Sequence, residues 1–412
     1  MLVYAGSVGA PKKGPASVSG QGEGIYTLEI HDDLSMKVID VLPADNAGII
    51  CMDPEGKYVY AANETKDFTG LNGSGGGVTA CRIDLGNGKL TRINDSISYG
   101  SRTSYVTVSD DGRYLLASNH GSHSTVTCHY VQDDDGKWVL QRGFDDSNTA
   151  AFRLREDGGI GELTDLKLSE GHGYWCHGGG QSTSHNHCVK TKGDLVFVCN
   201  RGADRIEVMR LDGETGKLTV LNHFCTRRGY APRHAALHPE KDILYVLNEN
   251  YPALSVYRFD RKSGEMEDAG LTGTAPADYY KDRPLPVFEK PEADEKEKNT
   301  SAMGDRTAFM PADIHISKDG RFLAASNRCF SGHGMITMFR VDPDGMPEPV
   351  YHQELPGKDP RGFQLIMQDK YLIAGLLDRN LVQLYRVNAD LTLTFINETT
   401  VPSPASFVQG KE

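Results

Sequence analysis

His185, Arg233, Glu249 and Arg328 are, by type, a set that can direct water onto a carbonyl carbon. A neutral imidazole or a carboxylate draws a proton from water near neutral pH. Two guanidinium groups hold a carboxylate or phosphate in a fork and stabilise a developing oxyanion. The four are scattered along the chain, so only a repeating scaffold would bring them together. Aligning the internal repeats without gaps puts Ser104, His185, Arg233 and Ala312 in one column, just before the first strand of the repeat. A second column, one residue past the end of the second strand, holds His120, Arg201, Glu249 and Arg328. If both columns face one mouth of a ring, the four converge. The plainer reading makes Arg233 and Glu249 a channel salt bridge and His185 a satisfied turn residue.

The elements that would position them are legible as a repeat. One pattern is an alternating strand, a turn with Asp and Gly or Lys, and a second apolar strand ending in a small residue. It occurs as GIICMDPEGKYVYAAN (48–63), YVTVSDDGRYLLASN (105–119), HCVKTKGDLVFVCN (187–200), HAALHPEKDILYVLN (234–248), DIHISKDGRFLAASN (313–327) and FQLIMQDKYLIAG (363–375). Such turns between alternating runs are hairpin signals. A third strand follows each, as in GVTACRIDLGNGKL (77–90), STVTCHYVQDDDGKW (124–138), RIEVMRLDGETGKL (205–218), LSVYRFDRKSGEM (254–266), MITMFRVDPDGM (335–346) and LVQLYRVNADLTL (381–393). A seventh copy, GIYTLEI (24–30), is preceded only by LVYAGS (2–7), whose missing partner is expected in the C-terminal PSPASFVQ (402–409). The expectation is an all-β, seven-bladed β-propeller in one domain spanning 1–412, its ring closed by the N- and C-terminal strands. Closure removes the sheet edges that invite aggregation.

The residues that end the second strands, Ser7, Asn63, Asn119, Asn200, Asn248, Asn327 and Leu376, are unevenly spaced. Long loops are therefore expected at about 144–184, carrying GHGYWCHGGGQSTSH, and at about 272–311, carrying a charged, Pro-containing run.

Four stretches resemble, in order, the seven-bladed lactonase family, which includes bacterial 6-phosphogluconolactonase of the propeller type and the fungal carboxy-cis,cis-muconate lactonizing enzyme. They are HNHCVKTKGDLVFVCNRGADRI (185–206), APRHAALHPEKDILYVLNE (231–249), ADIHISKDGRFLAASNR (312–328) and DPRGFQLIMQDKYLIAG (359–375). The resemblance implies a lactonase-like site with His185, Arg233, Glu249 and Arg328 at the family's active-site positions. Arg361, in the PRGF match, joins them, and His187 and Arg201 are assigned to substrate binding. The implied reaction is hydrolysis of a sugar lactone. Glu249 or His185 takes the proton from water, one arginine stabilises the oxyanion, and another holds a phosphate or carboxylate. A cycloisomerase acting on a dicarboxylate would use the same set. A non-enzymatic scaffold remains a third class, because propellers also bind partners on their faces.

His172, Cys176, His177, His185, His187 and Cys188 are metal-ligand types in close succession. Most fall in a Gly-rich stretch without strand spacing, and Cys188 points away from the face shared by His185 and His187. The expectation is no metal and no cofactor. A formal net charge of −12 argues against nucleic acid or anionic membrane as the main partner, but not against a small anionic lactone. The N-terminus lacks a secretory pattern, no apolar run reaches membrane-spanning length, and eight cysteines form no tight framework, so a cytoplasmic setting is expected. The sequence leaves the oligomeric state open. There is no GxSxG elbow, phosphate loop or HExxH.

Overall fold

The computed structural model describes residues 1–9, 19–122, 126–174, 180–281 and 309–411. Seven four-stranded antiparallel sheets form a β-propeller. Each blade runs outward from the axis. In the fourth, the strands are Asn186–Lys192, Leu195–Asn200, Arg205–Leu211 and Leu218–Cys225. Pro232–Leu237, Ile243–Asn248, Ala253–Phe259 and Met266–Gly273 make the fifth in the same order. The innermost strands contact one another in turn round the ring. The first blade takes its inner strand, Pro404–Gln409, from the C-terminus; it pairs with Leu2–Ser7, Tyr4 opposite Val408. The two chain ends therefore close the ring, as the orphaned LVYAGS requires.

Alternation along each strand puts one set of side chains against each neighbouring blade. Between the fourth and fifth blades lie Phe197, Val208, Ala235, Leu244 and Tyr257. A tyrosine of the second strand also reaches the next blade's turn in several places. Tyr4 donates to the Gly88 carbonyl at 2.9 Å, Tyr60 to Gly158 at 2.9 Å and Tyr245 to Gly345 at 2.8 Å. The three acceptor glycines have φ of 73°, 81° and 88°, a left-handed turn conformation that a side chain disfavours. Each tyrosine thus buries its ring between sheets while its hydroxyl is satisfied.

The third blade corrects two expectations. Its third and fourth strands are Ser147–Leu154 and Ile160–Ser169, so most of 144–184 is blade rather than loop. STVTCHYVQDDDGKW is not a blade strand: Thr127–Gln132 and Trp138–Gly143 form a separate two-stranded hairpin in which nearly every residue is exposed. It is inserted between Tyr114–Asn119 and Ser147–Leu154, which pair with each other. Of the second expected loop, 272–273 end the strand Met266–Gly273, Ala277–Tyr280 is a short 3-10 turn, and 309–311 begin the strand Phe309–Ile316. The charged run at 282–308 lies outside the described residues.

Candidate active site

In the fourth blade, the asparagine that ends the second strand brings the two columns together. Asn200 is fully buried at the end of its strand. Its Oδ1 accepts from the backbone N–H groups of His185 at 3.0 Å and Ala203 at 3.1 Å, while Nδ2 donates to Ser184 Oγ and Glu207 Oε1. One side chain therefore ties the chain entering the blade to the chain leaving its second strand. The backbone repeats the tie. Arg201 N–H donates to the His185 carbonyl at 2.9 Å, His120 to Arg102 at 3.0 Å, Glu249 to Ala231 at 2.8 Å and Glu64 to Asn46 at 3.1 Å. Residues in the second column thus sit at equivalent points round one mouth.

Glu249 is the hub. Its carboxylate is ion-paired with Arg201 Nε and accepts from Arg328 Nη2 at 2.8 Å; Arg233 Nε stands 3.9 Å from Oε1, beyond hydrogen-bond reach. All four side chains are buried. Burial pushes the Glu249 carboxyl up, but Arg201, Arg328 and Arg233 more than offset it and hold the group well below the ordinary carboxylate range. Arg233 donates to the Ala312 carbonyl across the blade boundary. Burial, then its neighbour Arg328, lowers its pKa to about 9.

His185 is wholly buried. Its Nδ1 lies 2.8 Å from the His120 carbonyl oxygen, which can only accept, so Nδ1 carries the hydrogen and Nε2 the lone pair. Burial and then the Arg201 charge lower its pKa to about 3, and it feels Arg102 and Glu249 as well. The ring stacks on His120 with centroids 4.5 Å apart, and His120 meets His187 edge-on at 5.4 Å. His187 is buried one step down the channel, and its Nδ1 has no hydrogen-bond partner among the described residues. Arg361, half-buried, acts electrostatically on Arg233. His185, Arg233, Glu249 and Arg328 are therefore brought together, with Arg201, His187 and Arg361 beside them. Arg201 clamps Glu249 and also donates to the Gly180 carbonyl at 3.1 Å.

The sequence reading missed several groups. Glu64 follows Asn63 as Glu249 follows Asn248, so its place in the second column was readable. Arg102, with φ 56°, occupies the left-handed position that Ala231, with φ 58°, fills beneath Glu249. Deeper in the channel, Asp313 Oδ1 lies 2.9 Å from His234 Nδ1 and Oδ2 lies 3.1 Å from His315 Nε2. Burial raises the Asp313 carboxyl, but His315 and His234 hold it well below its usual value. No composition or spacing signal marks this trio.

Cys176 and His177 of the suggested metal set lie outside the described residues. Among the described residues no group of three or more His, Cys, Asp or Glu could hold a metal ion, and seven cysteines are free thiols. No helix among them is long and apolar enough to cross a membrane.

Comparison with known proteins agrees with this architecture. The family described as "Lactonase, 7-bladed beta-propeller" matches residues 3–127 and 122–409. The chain belongs to that family. The 6-phosphogluconolactonase of Bacillus subtilis (strain 168) is 24% identical over 409 residues, covering 98% of this chain and 97% of its own. A putative 6-phosphogluconolactonase from Bacteroides uniformis superposes with a TM-score of 0.76 at 21% identity, over 99% of this chain and 98% of its own. The periplasmic gluconolactonase of Pseudomonas aeruginosa gives 0.75 at 20% identity, over 99% of this chain and the whole of its own. The solved structures at these identities speak to the fold. Family membership and the Bacillus relative support a lactonase-like function.

Proposed function

We propose that this propeller lactonase opens a sugar-acid lactone by hydrolysis, with 6-phosphogluconolactone as the leading substrate. The observation that carries the proposal is the cluster of Arg201, Arg233 and Arg328 round the single carboxylate Glu249. Three cations round Glu249, with Arg102 and Arg361 acting on the second carboxylate Glu64, leave an excess of positive charge in a desolvated mouth. That is the electrostatics an oxyanion and an anionic substrate need.

In this reading Glu249 organises the arginines. Its carboxylate is held too far below neutral pH, and is too fully paired, to be an effective proton acceptor. His185, neutral with its lone pair on Nε2, orients the attacking water; with a pKa near 3 it too is a weak base. Arg233 faces the carbonyl oxygen as it becomes an oxyanion. The half-buried Arg361 holds the phosphate or carboxylate of the substrate. Lactones hydrolyse slowly unaided, so a few charge-assisted contacts of about 2–4 kcal/mol each suffice.

The test is a substrate panel: phosphorylated and unphosphorylated gluconolactone, and a muconate, with wild type and Arg233→Ala. Turnover of a sugar lactone that collapses in a folded Arg233→Ala protein supports the proposal. Turnover of the muconate alone moves the assignment to a cycloisomerase. No turnover of any of them removes the enzymatic reading.

A further inference from the structure

We propose that Glu64 is the proton-transfer residue of this site, taking the proton of the attacking water and returning it to the departing ring oxygen. This rests on the lactone-hydrolysis reading above. Glu64 follows the second strand of the second blade, Tyr58–Asn63, as Glu249 follows that of the fifth, Ile243–Asn248. The two backbones are fixed alike: Glu64 N–H donates to the Asn46 carbonyl at 3.1 Å, and Glu249 N–H to that of Ala231 at 2.8 Å. Asn46 also donates from Nδ2 to the Glu64 carbonyl, at 2.6 Å, and Asn63 donates to the neighbouring Asp45 carbonyl at 2.7 Å. The position is therefore built rather than incidental.

The two carboxylates share one mouth and differ in exposure and in the direction of their pKa shifts. Glu249 is buried against Arg201 and Arg328, whereas Glu64 is half-buried at the equivalent point of the second blade. Charged groups of three other blades act on Glu64 electrostatically: Arg361 of the seventh, Arg102 of the segment entering the third, and Arg233 and Glu249 of the fifth. Burial raises its pKa and Glu249 adds to the rise, outweighing the opposing pull of Arg361, Arg102 and Arg233. A carboxyl poised above its ordinary range is better matched to shuttling a proton at neutral pH than one held far below it.

The step balances. Water oxygen bonds to the lactone carbon as its proton passes to the Glu64 carboxylate. The carbonyl π pair moves onto oxygen opposite Arg233. Collapse re-forms the carbonyl and breaks the bond to the ring oxygen, which takes the proton back from the Glu64 carboxyl. The hydroxy acid leaves and ionises in solvent.

The experiment compares wild type, Glu64→Gln and Glu64→Asp on the lactone the wild type turns over best, across pH, with melting temperature and binding of the aldonate product measured alongside. We expect Glu64→Gln to lose about 10²-fold or more in kcat, the span of general-base effects, with product affinity changed less than threefold. Glu64→Asp should recover part of that loss and keep an acidic limb in the pH profile that Glu64→Gln lacks. Glu64→Gln within fivefold of wild type, or a loss confined to KM, overturns the assignment while leaving the lactonase reading standing. So does Glu64→Asp as inactive as Glu64→Gln. A wild type inert towards every lactone overturns both.

Discussion

His185 donates its Nδ1 hydrogen to the carbonyl oxygen of His120 in the preceding blade, at 2.8 Å, so one blade sets the tautomer that the next presents to the mouth. The site is thus an inter-blade construction, and substitutions that shift one blade against another should act on chemistry before they act on folding.

Gly202 offers the sharpest such case. A Cβ at this position would stand 2.0 Å from the Thr183 carbonyl oxygen and 2.6 Å from His185 N. Gly202→Ala should displace His185 and cut kcat at least tenfold, while circular dichroism still reports a folded β protein. Unchanged kinetics would show that His185 need not be held where it is.

Glu249→Gln removes the one anion that three buried arginines share. Leaving buried charge uncompensated costs about 3–5 kcal/mol. Chemical denaturation should register a loss of that order together with loss of turnover. A stability change below about 1 kcal/mol would mean the arginines are solvated after all.

Acid should destabilise the protein from near neutrality. His185 and His234 have pKa values lowered from 6.5 to about 3, by burial first, then by Arg201 and Arg233 respectively. Between those limits the unfolded chain binds more protons than the folded one, so stability falls as pH falls from 6.5 towards 3. Each imidazole contributes a slope of up to about 1.4 kcal/mol per pH unit. Unfolding free energies of wild type and His234→Asn at pH 7, 6 and 5 should diverge by a shallower slope in the variant. Parallel slopes would count against the buried neutral state.

Arg233 and Arg361 should separate kinetically. On the proposed mechanism Arg233→Ala removes the oxyanion contact and should lose about 10²–10³ in kcat. Arg361→Ala, which removes the proposed substrate-anion contact, should mainly raise KM, and more for the phosphorylated lactone than for the unphosphorylated one. Equal effects on both lactones would show that Arg361 does not hold the phosphate.

The hairpin of Thr127–Gln132 and Trp138–Gly143 stands outside the ring with Tyr130, Trp138 and Leu140 exposed. Replacing 126–143 by a short Gly-Ser link should leave the melting temperature within about 2 °C, because blade cores do not include it. A large drop would show that it braces the third blade.

That hairpin also shows where pattern reading stops. Thr127–Gln132 alternates as a blade strand does, but Tyr114–Asn119 pairs instead with Ser147–Leu154, which is further along the chain. Periodicity reports that a segment is a strand, not which strand it joins; pairing is chosen by non-local packing. Likewise Asn63 marked a blade end in the sequence, yet the consequence for Glu64 appears only when seven such ends are arranged round one axis.

What the sequence alone determined is the repeat: turn residues, alternation and the small residues ending second strands are local signals, and local signals specify hairpins. They placed His185 and Arg233 in one column and Glu249 and Arg328 in another, and the orphan strand at the N-terminus demanded a partner from the C-terminus. Tertiary structure alone decided that Glu249 is a clamped hub, that the His120 carbonyl fixes the His185 tautomer, and that Glu64 shares their mouth. Ion pairing and desolvation depend on distances between blades far apart in the chain, and no spacing within one blade encodes those distances.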